Sequence, residues 1–257
     1  MSELKRLGQL RWLPLLLLFA CTGPTETDDT VETDTDTDAD SDTDTDTDTD
    51  TDTDADVPAD GFGDISGSCG EFDGDEVSSS SPFLFRNAID FGSMAFDSNE
   101  LSAGGQQMWD AGTLGGSSIH SEIFAYEVLY RCEGAALLKT EGEIVYDSEG
   151  KKTDMLVELD SHQLGVSVTR AFKYPPGTPF EVADGTNLLT DKLADVLASS
   201  DLVSAADAWD KQALAVIAYD DKAADSIESA WAALDSAVKA DTVIYLTVTD
   251  GTDDWVY

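Results

Sequence analysis

Two carboxylates and a small group of bases are the residues in this chain whose types and spacing suit chemistry. Glu122 lies in the stretch IHSEIFAYEVLYRCE, residues 119–133, which at 100° per residue sets it on an apolar arc beside Ile119, Tyr126 and Leu129. A lone carboxylate among apolar side chains is costly to ionise unless it gains a partner. Asp154 opens a strand on its more polar face, and the next strand carries Ser167 and Thr169 on the face beside it. A buried Glu close to a strand-borne Asp makes a candidate site, because such neighbours shift each other's titration. Lys151, Lys152, Arg170 and Lys173 are over a third of the eleven bases that follow residue 56. They fall close together once these strands pair, as a basic stripe suited to an anionic group.

The elements that must position them read as follows. Residues 119–133 form a helix stopped by Gly134. Its narrow polar side holds His120, Glu127 and Arg131, with Glu127 and Arg131 an i,i+4 pair of ordinary surface type. Three strands are expected next, at 136–146, 152–159 and 164–171, joined by turns at 147–150 and at Asp160-Ser161-His162-Gln163 into an antiparallel meander. Met155, Val157 and Leu159 share one face of the second strand, and Leu164, Val166 and Val168 one face of the third. Pro175, Pro176 and Pro179 break the chain before a helix at 186–199. A capped turn at 204–209, a buried strand at 211–219, a helix at 222–239 and a last strand at 242–249 complete the order α-βββ-α-β-α-β. The fold class is α/β (α+β), a single mixed sheet flanked by helices and spanning residues 119–257. Residues 57–118 read as a loop-rich cover, with loops at Ser78–Ser81 and Gly115–Ser118. Phe83–Phe85 and Ala88–Phe91 pack on the core, and one short helix falls around 101–110.

The order helix, three-strand meander, helix, strand resembles the core of the PD-(D/E)XK nuclease-like superfamily, over roughly residues 119–219. The resemblance implies a Glu on the first helix, an Asp at the start of the second strand, and an acid-x-Lys on the third, together holding Mg²⁺ or Mn²⁺ and activating water against a phosphodiester. Asp154 stands at the Asp position, and Glu122 (or Glu127) at the helix position, so these two are the metal ligands it implies. The third element departs from the pattern. The strand reads Val166-Ser167-Val168-Thr169-Arg170, so a carboxylate is missing from either register and Arg170 is the nearest base. Lys152 or Glu158 on the second strand would have to substitute.

The N-terminal fifth of the chain has other work. Lys5, Arg6 and Arg11 precede the apolar run Trp12–Phe19, and Leu18-Phe19-Ala20-Cys21 forms a cleavage site, so residues 1–20 read as a signal peptide. A run this short is a poor membrane span, which needs about 20 residues. The cysteine after a small residue resembles the bacterial lipoprotein box, which implies lipidation of Cys21 and a membrane partner reached through an acyl anchor. Thr22 follows it, so an Asp retention signal is absent, and the end point implied is the outer membrane or cell surface. Residues 21–56 are a low-complexity tract of repeated Thr-Asp dyads with sixteen acids and no base, an expected disordered tether able to span about 100 Å when extended.

Residues 1–56 hold 17 of the 53 acids and 3 of the 14 bases, which leaves 36 acids and 11 bases, a charge of about −25, for residues 57–257. That surface argues against nucleic acid as a partner over most of its area. With Cys21 set aside, Cys69 and Cys132 are expected to form one disulfide. Spacing for zinc with His120 or His162 is missing, as are a P-loop, a dinucleotide fingerprint and a nucleophile elbow. Trp255 and Tyr257 are expected to pack rather than recognise a ligand. The reading favoured by charge, anchor and the missing acid-x-Lys is a non-enzymatic surface lipoprotein. It presents a disulfide-containing domain on an acidic tether to an unknown protein or ligand, and needs no cofactor. The alternative is a divalent-metal-dependent phosphodiesterase using Glu122 and Asp154.

Overall fold

A computed structural model describes residues 58–59, 62–113 and 118–257. In chain order its elements are β1 (Pro58–Ala59), β2 (Gly63–Gly67), α1 (Gly74–Ser78), β3 (Phe83–Asp90), α2 (Ala103–Ala111), α3 (Ile119–Glu133), β4 (Ala136–Thr140), β5 (Met155–Leu159), β6 (His162–Ala171), α4 (Val182–Leu202), β7 (Lys211–Ala218), α5 (Asp221–Ala233), α6 (Ser236–Lys239) and β8 (Val243–Asp250). The strands form one eight-stranded mixed sheet in the order β1-β2-β3-β8-β7-β6-β5-β4. The central four, β3, β8, β7 and β6, run parallel, while β1, β2, β5 and β4 pair antiparallel at the two sides.

Period-two alternation divides the sheet into two faces, each with its own core. On β7, Ala213, Ala215 and Ile217 join Met155, Val157, Leu164 and Val166 beneath α3. Leu214, Val216 and Ala218 point the other way, against Leu189, Leu193 and Val196 of α4 and Ile227 and Ala230 of α5. A strand covered on both faces reads as a continuous apolar run, and all eight residues of β7 are buried. Burying one such aliphatic side chain stabilises by about 1.5–3 kcal/mol.

The α/β class and the element order over 119–257 are as the sequence reading had them, but several boundaries move. The first meander strand stops at Thr140, because Glu143 accepts hydrogen bonds from the backbone N–H and hydroxyl of Thr140 and winds residues 141–143 into a 3-10 turn. The second strand starts at Met155, not Lys152. The turn after it holds only Asp160 and Ser161, both at positive φ, since His162 already pairs with Leu159. The helix expected at 186–199 extends over 182–202, opened by a Glu181–Asp184 capping box. The helix expected at 222–239 ends at Ala233, where Leu234 turns extended, and resumes as α6.

The larger correction concerns residues 57–118. They are not a cover. Phe83–Asp90 pairs in parallel with β8 along its whole length and is an interior strand of the sheet. The interruption of its apolar run by Arg86 and Asn87 hid it. The Arg86 guanidinium leaves the strand to meet Asp221, Asp225 and Glu228 at 2.6–2.8 Å, so a charged residue fits an interior strand. The short helix expected near 101–110 is α2, capped by Ser102.

Cys69 and Cys132 form the disulfide, which ties the loop after β2 to the last turn of α3. The signal peptide, Cys21, the Thr-Asp tract and most of the loop expected at 115–118 lie outside the described residues.

Candidate functional site

Asp154 is the residue just before β5, and its place is fixed by the ladder beside it. Its N–H donates to the Val166 carbonyl at 3.0 Å, and its carboxylate accepts from the Val168 N–H at 2.6 Å. Thr153 adds a second tie, its hydroxyl 2.9 Å from that of Ser167 and its N–H donating to the Tyr146 hydroxyl at 2.8 Å. The acid therefore sits where β5 begins and β6 nears its end. Glu122 comes from the first turn of α3, where the helix dipole favours an acid. The Ser118 hydroxyl does not cap this helix but donates to the Glu122 carboxylate.

Both side chains face one cavity of about 300 Å³, whose rim carries Lys151, Lys152, Arg170 and Lys192. Lys151 pairs with Asp195 at 2.8 Å, and Arg170 donates to the Val256 carbonyl at 3.3 Å. Lys152 and Lys192 make no ion pair among the described residues.

Burial drives the Asp154 carboxyl up to about 7, the charges of Glu122 and Glu141 push the same way, and the Val168 N–H and Lys192 only partly offset them. Glu122 is also raised above the usual carboxylate range, first by burial and then by Glu141, against the pull of Ser118. Two acids that resist ionising, set beside Lys152 and Lys192, which make no ion pair among the described residues, form an arrangement that could take a cation between the acids and an anion at the rim. Among the described residues no group of three or more His, Cys, Asp and Glu side chains has metal-holding spacing, so any ion there rests on two carboxylates.

The structure brings together Glu122, Asp154, Lys152 and Arg170, with Lys151 beside them. It removes others. Glu127 is fully buried, accepting from Arg131 at 2.9 Å and from the Ser102 N–H at 2.8 Å, so it is an internal brace between α3 and α2 and not a surface pair. Lys173 leaves the stripe to pair with Asp184 at 2.9 Å. Glu158 is exposed and lies opposite Gln163, near the far end of the strand from Asp154. His120 stacks on Trp109 with ring centroids 5.6 Å apart. Ser167 and Thr169 line the cavity where the family pattern has its acid and lysine.

Two contributors escaped the sequence reading. Lys192 is the sole base of α4, a helix with four acids, and it faces the cavity because α4 crosses β6 there. That isolation in an acidic helix was the available signal. Glu141 falls inside the strand expected at 136–146, yet it stands in the 3-10 turn, from which its charge bears on both Glu122 and Asp154.

No family model matches the chain. It is similar to the AAC-rich mRNA clone AAC4 protein of Dictyostelium discoideum, with 36% identity over 152 residues, 57% of this chain and 22% of that protein's length. The chain thus spans about a fifth of that relative. Among solved structures it is similar to SfsA of Pyrococcus furiosus in complex with Ca²⁺, with 15% identity, a TM-score of 0.27, and coverage of 52% of this chain and 58% of that one.

Proposed function

We propose that the folded part of this chain is a divalent-metal-dependent phosphodiesterase. One observation carries the reading: Glu122 and Asp154, delivered by a helix and a strand start, share a cavity with four of the eleven bases that follow residue 56. The donor set fits a hard cation. Mg²⁺ is commonly held by one or two carboxylates plus water and substrate phosphate, and both acids here are raised first by burial, an effect that a bound cation would offset. A divalent ion held by them would polarise a phosphoryl oxygen and lower the pKa of a bound water. Lys192 and Lys152 supply charge to the phosphate oxygens, and Arg170 a planar fork that grips two of them. The Val168 N–H fixes the orientation of Asp154. Lys192, from α4, supplies the lysine that β6 lacks.

The test is hydrolysis of a chromogenic phosphodiester by the purified protein with Mg²⁺ or Mn²⁺, beside Asp154→Asn, Glu122→Gln and Lys192→Ala, each checked for its fold by circular dichroism. Activity that needs the ion and falls at least about a hundredfold in the carboxylate variants supports the reading. A fully folded protein with no turnover under any of these ions sinks it.

The second reading is a non-enzymatic binding domain, and the observation favouring it is the absence of a carboxylate at Ser167. Under either reading we propose export, acylation at Cys21 and display at the outer membrane or cell surface on the acidic tether. The basic, apolar and small-residue order of 1–21 supports this. Incorporation of a labelled fatty acid, lost in Cys21→Ser, checks it.

A further inference from the structure

Resting on the phosphodiesterase reading, we infer that the Glu122–Asp154 cavity takes a short phosphoester, of mono- or dinucleotide size, and turns away duplex nucleic acid. The bases of the rim form an island. On one side Lys152 shares a cleft with Asp147 and Glu149, and Glu141 stands near. On the other side, along the same sheet edge, lies a larger cavity of about 610 Å³ at the ends of β3, β8 and β7. Its walls carry Asp64, Asp90, Asp220 and Asp250, none of them in an ion pair among the described residues. A fifth wall acid, Asp221, is paired with Arg86, which also meets Asp225 and Glu228.

Just past the ends of β6 and β7 the rings of Phe172 and Tyr219 cluster with Tyr257, centroids 5.0–5.3 Å apart, and Tyr219 also lines the larger cavity. Strands lie about 4.8 Å apart and Asp220 follows β7, the direct neighbour of β6, so the acid cavity begins on the order of one strand spacing from Arg170. A duplex carries a charge per about 1.7 Å of axis, so several phosphates leaving the site in that direction would meet carboxylates. A single phosphate with its nearest substituents meets only the cation island, and a volume of about 300 Å³ suits it.

Salt separates the two cases. Raising ionic strength shortens the Debye length from about 14 Å at 50 mM to about 6 Å at 300 mM. It should therefore weaken capture of a short diester by the island while relieving repulsion of a duplex. The experiment compares the full chain acting on a thymidine dinucleotide and on a 30-base-pair duplex, with Mg²⁺, at 50 and 300 mM salt. Binding of the same two ligands to Asp154→Asn is followed by fluorescence anisotropy. The expected result is at least a tenfold preference for the dinucleotide at low salt, with opposite salt trends for the two substrates. The triple variant Asp90→Asn/Asp220→Asn/Asp250→Asn keeps the oxygens that cap their local turns. It should raise duplex turnover several-fold and leave the dinucleotide rate unchanged. Equal turnover and binding of both ligands at low salt, or no response to the triple variant, overturns the size limit and leaves the phosphodiesterase reading standing. No binding and no turnover of either ligand overturns both.

Discussion

Replacing Asp154 by Asn should stabilise the protein in the absence of divalent ions, and more so as pH rises. The Asp154 carboxyl is pushed from its ordinary 3.8 up to about 7, chiefly by burial and then by Glu122 and Glu141. An acid raised in this way holds a proton in the folded state that the unfolded chain has already released. Between pH 4 and 7 its contribution to stability therefore falls as pH rises, and above 7 it stays at its minimum. From pH 5 to pH 8 two units of that window are crossed, on the order of 3 kcal/mol at full effect and roughly 1–2 kcal/mol after screening at its partly exposed edge. Asn cannot ionise and its carbonyl oxygen still accepts from the Val168 N–H, so the variant loses the slope and keeps the hydrogen bond. Urea unfolding at pH 5, 6.5 and 8 in EDTA measures this as the variant-minus-parent difference, which cancels the titrating groups that do not feel Asp154 and retains its coupling to Glu122 and Glu141. That difference should grow by about 1–2 kcal/mol toward alkaline pH. Adding Mg²⁺ at ten times its Kd should stabilise the parent by about 1.4 kcal/mol and the variant by much less. A difference that is flat with pH, or equal Mg²⁺ stabilisation of both proteins, would refute the electrostatic picture of the cavity.

Three further outcomes are expected away from the cavity. Glu133, which accepts from the Tyr245 hydroxyl at 2.7 Å and from the N–H groups of Gly70 and Phe72, is raised to about 7 by burial, so Glu133→Gln should also gain stability relative to the parent between pH 5 and 8 in urea titrations. Reducing the Cys69–Cys132 disulfide, which closes a sequence separation of 63, should cost about 4 kcal/mol in the chain-entropy model, read as a drop in melting temperature with reductant. Gly165→Ala should destabilise by about 2 kcal/mol or more in thermal melts, because a Cβ there would sit 2.5 Å from the Trp209 ring, whose Nε1 is held by Ser200.

What the sequence made legible follows from how local the signals were. The helix at 119–133 and the strand at 211–218 announce themselves by periodicity and by the stop at Gly134, and both stand where expected. Asp154 and Glu122 were legible because a carboxylate inside an apolar arc and an acid at a strand start each need a reason. The strand β3 was not, because Arg86 and Asn87 break its apolar run and its justification, three acids on α5, lies 135 to 142 residues further along. Lys192 was hidden in the same manner. Its position opposite Asp154 depends on how α4 crosses β6, which periodicity alone does not give. The two-residue turn at Asp160-Ser161 was misjudged in length because neither residue is glycine, although both adopt the left-handed conformation that glycine usually supplies.

The chain's acidity first weighed against a site for phosphate, and with the fold in view it weighs the other way. Residues 57–257 carry 36 acids against 11 bases, so a base anywhere on this surface has carboxylates within easy reach. Five of the eleven use them: Arg86, Arg131, Lys139, Lys151 and Lys173 are each in an ion pair among the described residues. Lys152 and Lys192 are among the six that do not, though they share a cavity with Glu122 and Asp154, two carboxyls that burial raises above their ordinary range. Unpaired bases beside reluctant acids are the less stable arrangement for the folded chain alone, since collapsing them into ion pairs would relieve both. The separation persists because Glu122 and Asp154 are pinned by Ser118 and Val168 while the lysines come from different elements. In the proposed reading, a phosphate at the rim with a cation beneath it would satisfy both sets at once.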